Sequence, residues 1–229
     1  MRLHRFYTTE TLLIGKEVRI EDSALIHQWM KVFRMAAGDA VILFNGDGYE
    51  YAGVFSVLAK KEAVIALTAK HPTPRESDAR VHVFLSLIKK DNVELVAQKV
   101  TELGAAAFHP VITERSEKKS INMERLEKIV VEASEQSGRG SIPGVHKPQE
   151  LEKALGDFEG TLYVLDFDAP RFVPPKEGVA GILIGPEGGW TFAERAFFDT
   201  KKIQRVSLGE LTLRAETAAI AATTMALLP

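Results

Sequence analysis

The chain has 229 residues, enough for one large domain or two modest ones, and at 45% hydrophobic it can bury a substantial core. Lys and Arg total 29 against 31 Asp and Glu, so a net charge of −2 advertises no nucleic-acid partner globally and leaves that task to a local patch. The absence of cysteine excludes disulfides, a thiolate nucleophile and Cys-ligated metal.

The histidines His4, His27, His71, His82, His109 and His146 show no paired metal-ligand spacing, so no metal is expected. The N-terminus has no signal-like apolar stretch, and no apolar run reaches about 18 residues, which points to a cytoplasmic protein with no membrane partner.

Residues 1–70 read as β-rich. Arg5 to Thr8, Val18 to Ile20, Ala40 to Phe44, Tyr49 to Leu58 and Ala63 to Thr68 are strand candidates, with turns at Asn45-Gly46-Asp47-Gly48 and Lys60-Lys61-Glu62. One helix is expected over Asp22 to Met30, with Leu25, Ile26 and Trp29 on its apolar face. Several short strands with one helix describe a small barrel, an architecture that often binds RNA. Arg2, Arg5, Arg19, Lys31 and Arg34 lend it basic character, and Phe6 and Tyr7 either stack on bases or fill the barrel. A polar, two-proline stretch over 71–79 reads as a linker.

From residue 80 to 229 the texture becomes α/β. Val81 to Ile88 is a strand, and Asp91 to Leu103 a helix with Asp91 and Glu94 as capping candidates and Gly104 as its stop. Ala105 to Ile112 is a strand, Asn122 to Ser137 a helix, and Gln149 to Leu155 a short helix. Leu162 to Leu165, Gly181 to Ile184 and Arg205 to Leu208 are further strands. The alternation predicts a largely parallel sheet.

Gly185-Pro186-Glu187-Gly188-Gly189 follows one of these strands, and Thr191 and Glu194 then have capping-box spacing. A turn without Cβ atoms lets a ligand approach bare backbone at a helix N-terminus. A lone turn of this kind is ordinarily just a connection. It also fails the G-x-G-x-x-G and phosphate-loop templates, and Glu187 has the wrong sign for a phosphate cradle. A second strand-loop-helix unit runs from Val206 through Leu208, Gly209 and Arg214 into an Ala-rich helix over Ala215 to Leu228. Thr113-Glu114-Arg115-Ser116 and Glu135-Gln136-Ser137-Gly138-Arg139 close two other elements, and Asp166 with Asp168 forms an unspecific carboxylate pair. Loops after parallel strands share one edge, so Arg115, Arg139 and Arg214 are expected to converge there.

Seven pieces in order resemble the ribosomal RNA small-subunit methyltransferase E family of the SPOUT class. They are His4-Arg5-Phe6-Tyr7; Val32-Phe33-Arg34-Met35 with Gly38-Asp39; Gln98-Lys99 with Thr101-Glu102-Leu103-Gly104; Thr113 to Ser116; Glu135 to Arg139; Ile184 to Gly189; and Leu208-Gly209 with Leu213 to Ala218. The resemblance implies an α/β chain with an N-terminal PUA-like β-barrel for RNA and a C-terminal SPOUT domain carrying a deep trefoil knot. It also implies a homodimer, S-adenosylmethionine as methyl donor, and methylation of N3 of a uridine in 16S rRNA, U1498 in that family.

On this reading Leu165, Ile184, Gly185, Pro186, Glu187, Gly188, Leu208, Gly209, Leu213 and Thr217 contact the cofactor, and Arg5, Arg34, Arg115 and Arg139 contact RNA. Uridine N3 becomes nucleophilic only when its proton leaves, which calls for a base or a cation that stabilises the ring anion. Arg214 is the candidate cation, and Glu216 or Glu102 the candidate base. Leu211 and Asn92 stand where family members often carry basic residues. Two other classes remain: an RNA-binding protein without catalysis, and a phosphate-binding enzyme. The first needs no glycine turn; the second needs Lys or Arg where Glu187 stands.

Overall fold

The computed structural model describes residues 4–73, 77–117 and 119–228, so Arg2 and the linker's Pro74, Arg75 and Glu76 lie outside the described residues. The chain divides into two units, Met1–Arg75 with Ser134–Ile142, and Glu76–Ala133 with Pro143–Pro229.

The first unit is a curled half-barrel of β1 (Arg5–Tyr7), β2 (Glu17–Ile20), β3 (Ala40–Phe44), β4 (Tyr49–Leu58) and β5 (Ala63–Pro72), in the order β1-β3-β4-β5-β2. Only β1 and β3 run parallel. Alternation along β4 turns Tyr51, Gly53 and Phe55 inward. A Cβ on Gly53 would sit 2.6 Å from Ile65 Cγ2, so the strands close tightly there only around glycine. Trp29 fills the concave side, edge-on to Phe6 and Phe55 with centroids 5.7 and 5.0 Å away.

The expected single helix is α1 (Ser23–His27) followed by a π-helical turn over Gln28–Val32. Asp22 caps it, accepting from the Ala24 and Leu25 amides, but the Phe33 N–H reaches back five residues to the Gln28 carbonyl. Apolar spacing of three and four cannot distinguish that wider turn from an α-turn. The strand β5 also runs past Thr68, through His71 and Pro72, pairing with Glu50 and Tyr49. Pro72 is tolerated because β2 pairs with β5 only up to Ala66, so no ladder partner is lost on that side.

The second unit contains β6 (Ala79–Ser86), α2 (Lys90–Leu103), β7 (Ala107–Ile112), α3 (Met123–Ser137), β8 (Gly144–Val145), β9 (Gln149–Glu150) and α4 (Leu151–Gly156). It continues with β10 (Thr161–Leu165), β11 (Gly178–Ile184), α5 (Phe192–Thr200), β12 (Gln204–Val206) and α6 (Ala215–Leu227). The sheet order is β12-β10-β11-β6-β7-β8, with β9 also on β7, and every pairing is parallel. Residues 180–184 of the central strand β11 are all buried, as a strand covered on both faces must be.

Two local expectations change. Gln149 and Glu150 form a short strand before the expected helix. Neither Asp91 nor Glu94 caps α2, whose N-cap is Lys89 without a side-chain bond; Glu94 instead binds Arg125 at 2.7 Å. The small-residue face of α6 packs within the chain, the arrangement its sequence alone favours, with Ala219, Ala222 and Ala226 buried against α2 and the sheet. Gly104 ends α2 in the left-handed conformation (φ 104°), as expected. No helix among the described residues is long and apolar enough to cross a membrane.

Arg5 is buried rather than presented for RNA. Its guanidinium donates to the carbonyls of Ser134, Glu135 and Arg139 at 3.4, 3.3 and 3.0 Å, and its Nε binds Glu50 at 3.1 Å. It thereby satisfies carbonyls that the end of a helix leaves without intrahelical partners. Glu135 answers by accepting the Tyr7 amide at 2.9 Å. Arg5→Met should therefore cost about 3 kcal/mol or more in urea unfolding, because it removes four hydrogen bonds of a buried guanidinium, to three carbonyls and Glu50. Wild-type stability in that variant would show that water replaces the guanidinium.

In the second unit His82 Nδ1 lies 3.0 Å from His109 Nε2, and His109 is sandwiched between Phe84 (4.2 Å) and His146 (3.9 Å). One ring must donate and the other accept, so at least the accepting ring must be neutral and the bond is lost when both are protonated. Burial, then the nearby His146 and His82, push His109 from 6.5 to about 3; burial, Arg80 and His146 also push His82 down. Folded values lie below unfolded ones, so the unfolded chain binds more protons between them. This stability is fully present above 6.5 and falls as pH drops toward 3. His109→Phe keeps the stack without the titration, and should flatten the dependence of unfolding free energy on pH across that window.

Candidate active site

The loops that follow β10, β11 and β12 leave the same edge of the parallel sheet and enclose a cavity of about 560 Å³. That volume lies within the range of about 300–1,000 Å³ typical of small-molecule sites. Leu165, Ile184, Leu208 and Leu213 give it apolar walls, and the 185–189 turn contributes bare backbone.

The turn is fixed by specific contacts. Gly189 has φ 67° and its N–H closes the turn on the Pro186 carbonyl at 2.8 Å. A Cβ on Gly185 would meet the Trp190 indole at 3.0 Å. That indole is buried edge-on to Phe198, and its Nε1 donates to the Leu165 carbonyl at 2.9 Å, joining the β10 loop to the β11 loop. The predicted capping box is present: Thr191 Oγ1 accepts the Glu194 amide, and Glu194 Oε2 accepts the Thr191 amide at 2.8 Å. The other oxygen of Glu194 accepts the Glu114 amide at 3.0 Å, while Arg115 Nη1 donates to the Gly188 carbonyl at 2.6 Å.

Of the residues expected to hold a cofactor, Leu165, Ile184, Gly185, Pro186, Glu187, Gly188, Leu208, Gly209 and Leu213 line this cavity, and Thr217 does not. Arg214 and Arg115 line it too. Arg214 is the N-cap residue of α6 and is exposed; among the described residues no ion pair joins it to Glu210 or Glu216.

Neither candidate base is part of the cavity lining. Glu102 is exposed on α2 and paired with Lys99 at 2.8 Å, and Glu216 occupies the first turn of α6. Helical spacing located both on their helices without saying which way they face. The carboxylates that do line the cavity are Glu187 and Asp166. Arg139 is buried, with Nη2 on Ser141 Oγ at 3.1 Å, and is not among the residues that line the cavity. Arg34 is exposed, in the left-handed region at φ 54°.

Several lining residues carry no local sequence signal. Asp166 is buried at the end of β10, where it accepts from Arg195 at 2.8 Å and from the Phe167 amide at 2.9 Å, with Arg205 3.7 Å away. In the sequence it stands out only as one of an unspecific carboxylate pair with Asp168. Phe192 and Leu211 stand 90% and 81% exposed at the mouth, a strongly apolar rim. Asn92 is half-buried at the start of α2. Among the described residues no group of three His, Asp or Glu could hold a metal ion.

Gly185→Ala should displace the Trp190 ring, break its bond to Leu165 and cost roughly 1–3 kcal/mol. Gly188→Ala meets only the flexible stem of Arg115, at 3.2 Å, and should be milder. Urea unfolding followed by tryptophan fluorescence ranks the two, and the reverse order would contradict this account of the turn.

Two family models match the chain. An RNA methyltransferase domain family matches residues 75–227, and an RNA methyltransferase PUA domain family matches residues 30–68. The ribosomal RNA small subunit methyltransferase E of Synechocystis sp. is 34% identical over 93% of this chain and 75% of its own length. That of Bacillus subtilis is 32% identical over 84% and 83%. A crystal structure of the Neisseria gonorrhoeae ribosomal RNA small subunit methyltransferase E bound to S-adenosyl methionine superposes with a TM-score of 0.89, at 29% identity, covering 97% of this chain and 96% of that one. With its glycine turn, its parallel sheet and these matches over most of its length, the chain belongs to the ribosomal RNA small subunit methyltransferase E family.

Proposed function

We propose that this RNA methyltransferase transfers a methyl group from S-adenosylmethionine to N3 of a uridine in the 16S rRNA of the small ribosomal subunit. The observation that carries the reading is Arg214, an exposed guanidinium without an ion-pair partner among the described residues, lining a cavity whose glycine backbone and leucines are joined by Arg115, Arg195, Asp166 and Glu187. The cavity fits the cofactor in size and chemistry. The apolar walls suit adenine, exposed backbone can read its edge, and Glu187 offers a carboxylate to a cationic group of the ligand, Asp166 being already paired with Arg195. Bound there, the cofactor supplies an electrophilic methyl group on a sulfonium whose sulfur leaves as a neutral thioether.

The chain's own task is alignment and charge. The 185–189 turn and the Leu208–Leu213 loop would hold the donor while Arg214 faces the uracil, so that nucleophile, methyl carbon and sulfur lie in line. As N3 loses its proton, negative charge spreads over the ring and its carbonyl oxygens, and the guanidinium stabilises that anion. With Glu216 and Glu102 outside the cavity lining, no base need be invoked beyond Glu187 or water. The half-barrel would supply RNA affinity, and a homodimer is retained from the family resemblance, since the alanines of α6 are already packed inside the protomer.

Arg214→Ala should slow single-turnover methylation of 30S subunits by about a hundredfold or more while changing cofactor affinity little. Arg214→Lys keeps the charge but not the planar fork, and should recover part of the rate. Nucleoside mass spectrometry of rRNA from a deletion strain, with and without the gene restored, identifies the base. Methylation at another position or near-normal turnover in Arg214→Ala would refute the assignment.

A further inference from the structure

Arg115 was expected to contact RNA, and its geometry points elsewhere. Its Nη1 donates to the Gly188 carbonyl at 2.6 Å, and its side chain lies 3.2 to 3.8 Å from where a Cβ on Gly188 would stand. The N–H of the same peptide, that of Gly189, is bound to the Pro186 carbonyl at 2.8 Å. The Gly188–Gly189 peptide is therefore held at both of its polar ends. Without such anchoring a turn with glycine at both positions samples a wide range of backbone angles, and ordering it on ligand binding would weaken affinity.

The anchor itself is rigid. Thr113 and Ser116 bond each other through their hydroxyls at 2.9 Å, and the Ser116 hydroxyl accepts the Thr113 amide at 2.9 Å. The Glu114 amide is held by the buried carboxylate of Glu194, itself fixed at the start of α5. Arg115 thus reaches across from a turn docked on the same helix that the glycine turn leads into.

We infer that Arg115 is a positioning residue for the cofactor turn: it pre-orders the Gly188–Gly189 peptide and so sets S-adenosylmethionine affinity rather than RNA affinity. The inference rests on the proposed cofactor. Its physical core, the ordering of the turn, is measurable without ligand.

The test compares the full-length wild type with Arg115→Met and Arg115→Lys by three measurements. These are amide hydrogen exchange over residues 185–191 in ligand-free protein, calorimetric titration with S-adenosylmethionine, and binding to 30S subunits. Arg115→Met should speed exchange locally in that segment and weaken cofactor binding about tenfold, the scale of one charge-assisted hydrogen bond, with subunit affinity unchanged. Arg115→Lys, a single-point donor, should fall between. Unchanged exchange in Arg115→Met, or exchange raised throughout the protein, would overturn the inference. So would lost subunit affinity with cofactor affinity intact. A wild type that binds no S-adenosylmethionine would overturn the proposed function instead, while the exchange data still decide whether Arg115 orders the turn.

Discussion

The active-site edge depends on one buried carboxylate. Glu194 is 9% exposed, and burying a charge is costly unless hydrogen bonds replace its water. Here two backbone amides do so, from Thr191 and Glu114, and the N-terminal end of α5 favours negative charge. The first bond starts the helix directly after the glycine turn. The second docks the 113–116 turn, from which Arg115 grips Gly188. Helix start, neighbouring turn and ligand-facing backbone are thus one hydrogen-bonded unit, and Trp190 extends it to the β10 loop through the Leu165 carbonyl. The result is a preformed pocket edge built largely from main chain, which explains why small residues at 185, 188 and 189 matter more than any side chain placed there.

How legible this was depends on the sequence distance of each contact. The capping box spans three residues, and its Thr-x-x-Glu spacing was readable. The stop at Gly104, the order of strands and helices and the glycine turn are equally local. Arg5 is the opposite case. The carbonyls it binds lie 129 to 134 residues away and Glu50 lies 45 away, so nothing near Arg5 distinguishes a helix cap from a surface cation. The inward side of a helix follows from apolar periodicity, but the direction taken by a polar residue on its flank does not, which is why Glu102 and Glu216 were candidates for a cavity that neither lines. Asp166 was visible as a residue and not as a partner, because Arg195 and Arg205 come from a helix and a strand that only the fold brings beside β10.

The same reasoning limits what a count of arginines says about RNA. A guanidinium offers five donors in a rigid plane, which suits it to gather backbone carbonyls as well as phosphates. In this near-neutral chain Arg5 holds carbonyls at the end of a helix, Arg139 is buried, Arg115 holds a turn, and Arg19 sits 2.8 Å from Glu62 in a surface pair. Affinity for a phosphate backbone scales with the cations that remain free to displace its counterions. On the half-barrel the exposed cations include Lys16, Lys31, Arg34, Lys60 and Lys61, a different set from the arginines the sequence makes conspicuous.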